Sequence, residues 1–86
     1  DMSVEDEVMK ELMKQDVSRL LDSLDERKRI MLDMYYGLEG YEKASNEEIA
    51  KVVGGNSKTI GQSVRNAVKS LVIEANKLEL NEYLER

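Results

Sequence analysis

Cysteine and histidine are both absent from this 86-residue chain. Their absence removes thiol nucleophiles, disulfides, imidazole bases and nearly every zinc site. It also agrees with a cytoplasmic protein, where cysteine pairing plays no part. Proline is missing too, and glycine occurs five times, so the chain reads as helices with short links. There is no Phe and no Trp, and four Tyr are the only aromatics. A core built without them must be Leu, Ile, Val and Met, and a chain this short is only marginally stabilised by burial. No apolar run approaches the roughly 18 residues of a membrane span. No secretory signal pattern opens the chain. Asp1 ahead of Met2 fits either a fragment of something longer or a start at Met2.

The formal net charge is −5, which at first sight argues against nucleic acid, since affinity for phosphate comes largely from Lys and Arg. The charge is unevenly spread. In 45–71, Lys51, Lys58, Arg65 and Lys69 outweigh Glu47 and Glu48. Every other stretch is net acidic.

Periodicity predicts four helices, with a fifth segment after them. The first runs from about Val4 to Ser23, capped by Ser3, with Glu5, Asp6 and Glu7 at the positive end of its dipole. Val4, Val8, Met9, Leu12, Met13, Val17, Leu20, Leu21 and Leu24 form one broad apolar face. The second runs from about Glu26 to Tyr36, between an Asp25 cap and a Gly37 stop. Its core face would be Ile30, Met31 and Met34, with Leu38 beyond. Residues 37–44 form a loop. The third spans about Asn46 to Val53, with Ser45 and Glu48 as a capping box. Ile49, Val52 and Val53 are its buried stripe, and Gly54-Gly55 ends it. The fourth starts behind Asn56 or Ser57 and reaches Leu71 or beyond, burying Ile60, Val64, Ala67, Val68 and Leu71. Past Leu71, residues 72–86 carry Ala75, Leu78, Tyr83 and Leu84, which extend that helix or form a short terminal one. The fold class is all-α: a single domain over 1–86, a small helical bundle ending in a helix-turn-helix.

Two helices joined by a short glycine turn, at about 45–71, have the layout in which the second helix enters the major groove. Lys58, Gly61, Gln62, Arg65 and Lys69 recur at i, i+3, i+4, i+7 and i+11 and make one polar, basic face. Gln62 can bond adenine N6 and N7 together, while lysine and arginine reach guanine or phosphate. Free N–H groups at the helix starts near Ser45 and Asn56 can hold phosphates. A polar stripe alone is more often a solvated face.

The stretch LDERKRIMLDMYYGLEG, followed by SNEEIAKVVGGNSKTIGQSVRNAVKSL, resembles the C-terminal domain, region 4, of bacterial RNA polymerase sigma factors. The resemblance covers about residues 8–71 and needs no gap from Leu24 onward. Leu24, Arg27, Leu32, Tyr36, Gly37, Ser45, Glu47, Glu48, Ile49, Ile60, Gln62, Ala67 and Leu71 fall on family positions. It implies recognition of the −35 promoter element by the fourth helix, and docking of the first two helices on the flap of the polymerase beta subunit. By position it implies that Gln62 contacts bases, with Ser57 and Lys58 beside it, and that Arg27 contacts DNA. The DNA-binding set is then Ser57, Lys58, Gly61, Gln62, Arg65, Lys69, Arg27 and Ser45. The partner-binding set is Met9, Met13, Val17, Ile30, Met31 and Met34, which could equally be core.

The sequence departs from the family in several places. Ser57, Thr59 and Gly61 stand where Arg is usual, Lys58 where Glu is, and Tyr35 where Arg is common. Gly55 and Asn46 replace apolar residues. These changes point to a different target sequence. Glu47 and Glu48 are adjacent on a helix and point apart, so they do not make an acid–base pair. GG before NSKT lacks the spacing of a phosphate-binding loop. The reading is a binding domain without catalysis, cofactor, metal, membrane or small-molecule substrate. Promoter DNA and RNA polymerase core are its partners, with an anti-sigma factor as a further candidate. Two alternatives stay open: a stand-alone phage-type or cellular helix-turn-helix regulator, and an interaction module held by an anti-sigma factor with little DNA binding.

Overall fold

A computed structural model describes residues 3–15 and 17–84, with the side chains of Ser3 and of residues 80–84 outside the description. The expected roles of Ser3 as a cap, and of Tyr83 and Leu84 in closing the core, therefore lie outside the described residues. Five helices follow in order: α1 (Ser3–Leu12), α2 (Val17–Leu21), α3 (Glu26–Tyr36), α4 (Asn46–Val53) and α5 (Ser57–Leu84). The described residues form an all-α bundle.

The expected first helix is two helices. After Met13 bonds back to Met9, Lys14 and Gln15 bond only three residues back, to Glu11 and Leu12. Such tightened turns commonly end an α-helix. The polar run after Met13 has nothing to bury, so only packing could hold it helical. On either side, Met9 and Leu12 of α1 and Leu20 and Leu21 of α2 are buried, and both helices pack on α5.

The caps read from the sequence are present. Asp25 accepts from the Lys28 N–H, and Gly37 closes α3 at φ 69° with its N–H on the Asp33 carbonyl. The Ser45–Glu48 capping box is complete at the start of α4. Bonding to the Ser45 backbone, more than to its side chain, lowers the Glu48 pKa.

α5 is one continuous helix, so the segment after Leu71 extends it. At 1.5 Å per residue its 28 residues span about 42 Å, which accounts for the 45 Å long axis. Ile60, Val64, Ala67, Val68, Leu71 and Ala75 form its buried stripe, with Leu78 packed beside it. Met31 and Leu32 of α3 and Ile49 of α4 meet that stripe fully buried. Val52, expected in the core, is 61% exposed. Ile49 and Val53 already fill the side of α4 that faces the bundle, and Val52 lies one position off that phase.

A buried carboxyl, unforeseen from the sequence, fastens the 37–44 loop. Asp33 is 3% exposed. Burial first, and a hydrogen bond with Glu39 second, push its pKa up to about 7. The Glu39 carboxylate accepts from Arg29 Nε at 2.8 Å, and that bond holds its own pKa below the ordinary value. Arg29 also pairs with Asp22. One arginine thus ties the α2–α3 link to the loop, above a carboxyl whose burial favours its protonated form.

Asp33 binds its proton more tightly folded, at about 7, than unfolded, at the ordinary 3.8. Its contribution to stability is complete below the unfolded value and is lost as pH rises through 7. In thermal melts, the part of the stability change between about pH 5.5 and 8 that Asp33 causes should favour the acid side and vanish in Asp33→Asn. The same pH dependence in parent and variant would refute the buried proton.

Candidate nucleic-acid interface

α4 and α5 are joined by Gly54, Gly55 and Asn56 and pack on each other, an arrangement consistent with a helix-turn-helix. Both glycines have positive φ, 91° and 87°. At Gly55 a Cβ would also meet the Thr59 hydroxyl at 2.6 Å, so only glycine fits there without displacing Thr59. That hydroxyl belongs to a second reciprocal cap: the Asn56 N–H donates to Thr59 Oγ1 at 2.9 Å, and the Thr59 N–H donates to Asn56 Oδ1 at 3.0 Å.

The first three turns of α5 and the start of α4 border a concavity of about 570 Å³ lined by Asn46, Ser57, Lys58, Thr59, Gly61, Gln62 and Arg65. Ser57, Lys58 and Gln62 are exposed, whereas Gly61 and Arg65 are half-buried. Five members of the expected DNA-binding set therefore share one surface. The other three sit elsewhere. Lys69 lies two turns further along α5, on a groove whose walls are Val4, Val8, Val68, Val72 and Ile73. Ser45 spends its hydroxyl and its N–H on the α4 cap. Arg27 donates from Nε to the Val53 carbonyl at 3.0 Å, closing the C-terminus of α4 and bringing its guanidinium against the turn at Gly55.

The expectation of free N–H groups at the two helix starts needs a correction. The N–H groups of Ser45, Glu48, Asn56 and Thr59 are satisfied by the two caps, so these four are not offered to a phosphate. Asn46, which the sequence marked only as a departure, lines the concavity and donates from Nδ2 to the Ser57 carbonyl at 3.4 Å. Its signal was an amide on an otherwise apolar stripe.

The expected partner-binding set does not form one groove. Met9 and Met31 are core, at 1% and 0% exposure. Val17 and Met34 are half-buried against that core. Met13 is exposed and, together with Met9, lines a groove of about 430 Å³ between α1, α3 and the start of α4, beside Tyr35 and Tyr36. The two rings meet edge to face with centroids 4.8 Å apart, and the Tyr36 hydroxyl donates to Asp6. Ile30 lies apart, with Val52 and Val53 in a depression between α3 and α4. A broad helical face reads alike whether it is buried or open, and burial here takes two of the four methionines in the set.

Among the described residues no group of metal-ligating side chains gathers, and no helix is long and apolar enough to cross a membrane.

The local geometry fixes the sign of two substitutions. A Cβ at Gly61 would meet only Asn46 Nδ2, at an ordinary 3.8 Å, and its φ is not positive. Gly61→Ala should therefore raise stability by about 0.5–1 kcal/mol, whereas Ser45→Ala should lower it by about 1 kcal/mol. Denaturant midpoints check both; a loss in Gly61→Ala would mean the concavity is tighter than described.

Three relatives give the chain a family context. The RNA polymerase sigma factor SigA of Nostoc sp. is 32% identical over 80 residues, which is 93% of this chain and 20% of that protein. SigA of Synechocystis sp. is also 32% identical over 93% of the chain and 19% of its own length. RNA polymerase sigma factor sigB of Arabidopsis thaliana is 29% identical over 93% of the chain and 14% of its own length. The chain thus spans about a fifth or less of the relatives it matches. No protein-family model matches it, and no solved structure gives a significant match. Nearly the whole chain is similar to one segment of RNA polymerase sigma factors, as expected of a divergent sigma factor region.

Proposed function

We propose that this chain is a sigma factor region that recognises the −35 promoter element in transcription initiation and docks on the beta flap of RNA polymerase. It works in the cytoplasm by binding alone, and the polymerase supplies the catalysis. The observation that carries the reading is the concavity at the paired starts of α4 and α5. It gathers Ser57, Lys58, Gln62 and Arg65 on the one stretch of the chain with a positive balance. Similarity to sigma factors over 93% of the chain supports it.

The start of α5 enters the major groove on this reading. Gln62 meets a base edge, Lys58 and Arg65 meet guanine or phosphate, and Ser57 lies at the helix start beside them. Gly61 allows close approach. Arg27 holds the turn through its Nε and has its terminal nitrogens left for the backbone of the duplex. Lys69 is the outermost contact. Ser45 sets the start of α4 rather than gripping DNA. For the beta flap, the groove at Met13, Tyr35 and Tyr36 is the accessible remainder of the partner-binding set. An anti-sigma factor would compete for the same ground.

Holoenzyme assembled with this chain in place of region 4 should select promoters by their −35 sequence. Gln62→Ala should weaken specific binding by about 1–3 kcal/mol and relax preference at one or two base pairs. Lys58→Ala and Arg65→Ala should weaken binding, uniformly across sequences wherever the contact is to phosphate alone. Unchanged selection by all three variants would overturn the assignment of α5. For the chain by itself, four cations at most face DNA, so the logarithm of affinity should fall with that of salt at a slope no steeper than about −3.6. A flap peptide should bind it more tightly than a −35 duplex does. Tight duplex binding with no affinity for the flap would favour a stand-alone regulator.

A further inference from the structure

Asn46 breaks the pattern of its own helix. Residues 46, 49 and 53 share one face of α4, and the other two are Ile49, fully buried, and Val53, packed against the core. An apolar side chain at 46 would continue that stripe. The amide there makes one hydrogen bond from Nδ2, to the Ser57 carbonyl at a long 3.4 Å. A contact at that length is weak, and it leaves the Oδ1 acceptor and a second N–H uncommitted to it. Both belong to a side chain that lines the concavity and also reaches the edge of the groove at Met13, Tyr35 and Tyr36.

Gly61 is what leaves the amide uncovered. It stands one turn beyond Ser57 on the same face of α5. A Cβ built on it would have Asn46 Nδ2, at 3.8 Å, as its only neighbour within 4 Å. A long side chain at 61 would lie over the amide; glycine opens a window through the face of α5 onto a side chain of the helix behind. Gln62, adjacent in sequence, lines the same surface. Two carboxamides, from two helices, therefore reach one concavity. Each carries the paired donor and acceptor that match adenine N6 and N7.

We propose that Asn46 is a specificity-determining residue of this interface, reading a base edge next to the one met by Gln62 through the opening that Gly61 leaves. The inference rests on the DNA-recognition reading above and names the α4 residue that sets part of the target sequence.

Selection of bound duplexes from a randomised pool tests it, with the parent chain, Asn46→Ala, Asn46→Leu, Gln62→Ala and Lys58→Ala run in parallel. Melting by circular dichroism confirms that each variant is folded, and Asn46→Leu, which continues the apolar stripe, supplies a second folded variant. Both substitutions at 46 should lower the preference at one base pair about tenfold. That base pair should neighbour the one changed by Gln62→Ala, and affinity for the poorest sequences should stay as in the parent. An equal loss on every sequence would make Asn46 a clamp between helices and overturn the inference. So would unchanged preference at 46 alongside a clear effect of Gln62→Ala. If Gln62→Ala and Lys58→Ala also leave selection unaltered, the DNA reading itself has failed, and the inference falls with it.

Discussion

The structure depends on one apolar stripe. Ile60, Val64, Ala67, Val68 and Leu71 run along α5 with almost no exposure, and each of the other four helices packs against that helix. Burial of this stripe does more than hold the bundle. It fixes the rotation of α5 about its own axis, because turning the helix would expose the stripe. Once that angle is set, the outward direction of Lys58, Gly61, Gln62 and Arg65 follows from the 3.6-residue period. The candidate surface is thus a by-product of core packing, supported locally by the caps at the two helix starts and by the Arg27 bond to the Val53 carbonyl.

Charge is used in two ways. Across the chain the balance is acidic, which keeps a phosphate backbone at a distance unless the one basic face is presented. Within the bundle some cations serve structure. Arg29 is committed to Glu39 and Asp22, and Arg27 spends its Nε on the end of α4. The cations left for nucleic acid are fewer than the composition suggests. On the proposed reading, a domain so equipped would gain selectivity from geometry at a few base edges more than from electrostatic grip.

Local signals in the sequence carried far. Asp25, Gly37, Ser45 with Glu48, and Asn56 mark helix ends by their own hydrogen-bonding chemistry, so α3, α4 and the start of α5 could be placed from sequence. The split of α1 from α2 was not legible, because the apolar spacing runs through it without a break and no glycine or proline marks it. Val52 was misplaced since Ile49, Ala50 and Val53 already occupy the side of α4 that meets the core, and Val52 points away from it. The methionines were left open between core and partner surface for a related reason: periodicity shows which side of a helix is apolar and says nothing of whether another helix already covers it. Asp33 and Asn46 were hidden by their polarity. Each sits where spacing leads one to expect an apolar residue, and only the fold reveals what faces it.

The continuity of α5 has a mechanical consequence. Its 28 residues contain no proline, so it has no built-in hinge between the concavity at one end and the groove walled by Val4, Val68 and Ile73 further along. Such a rod transmits tilt. A few degrees of tilt about the buried stripe, where Val64 and Val68 are gripped, would displace the two ends of the helix in opposite directions. A load beyond Leu78 would therefore change the angle of the near end without changing any residue of the concavity.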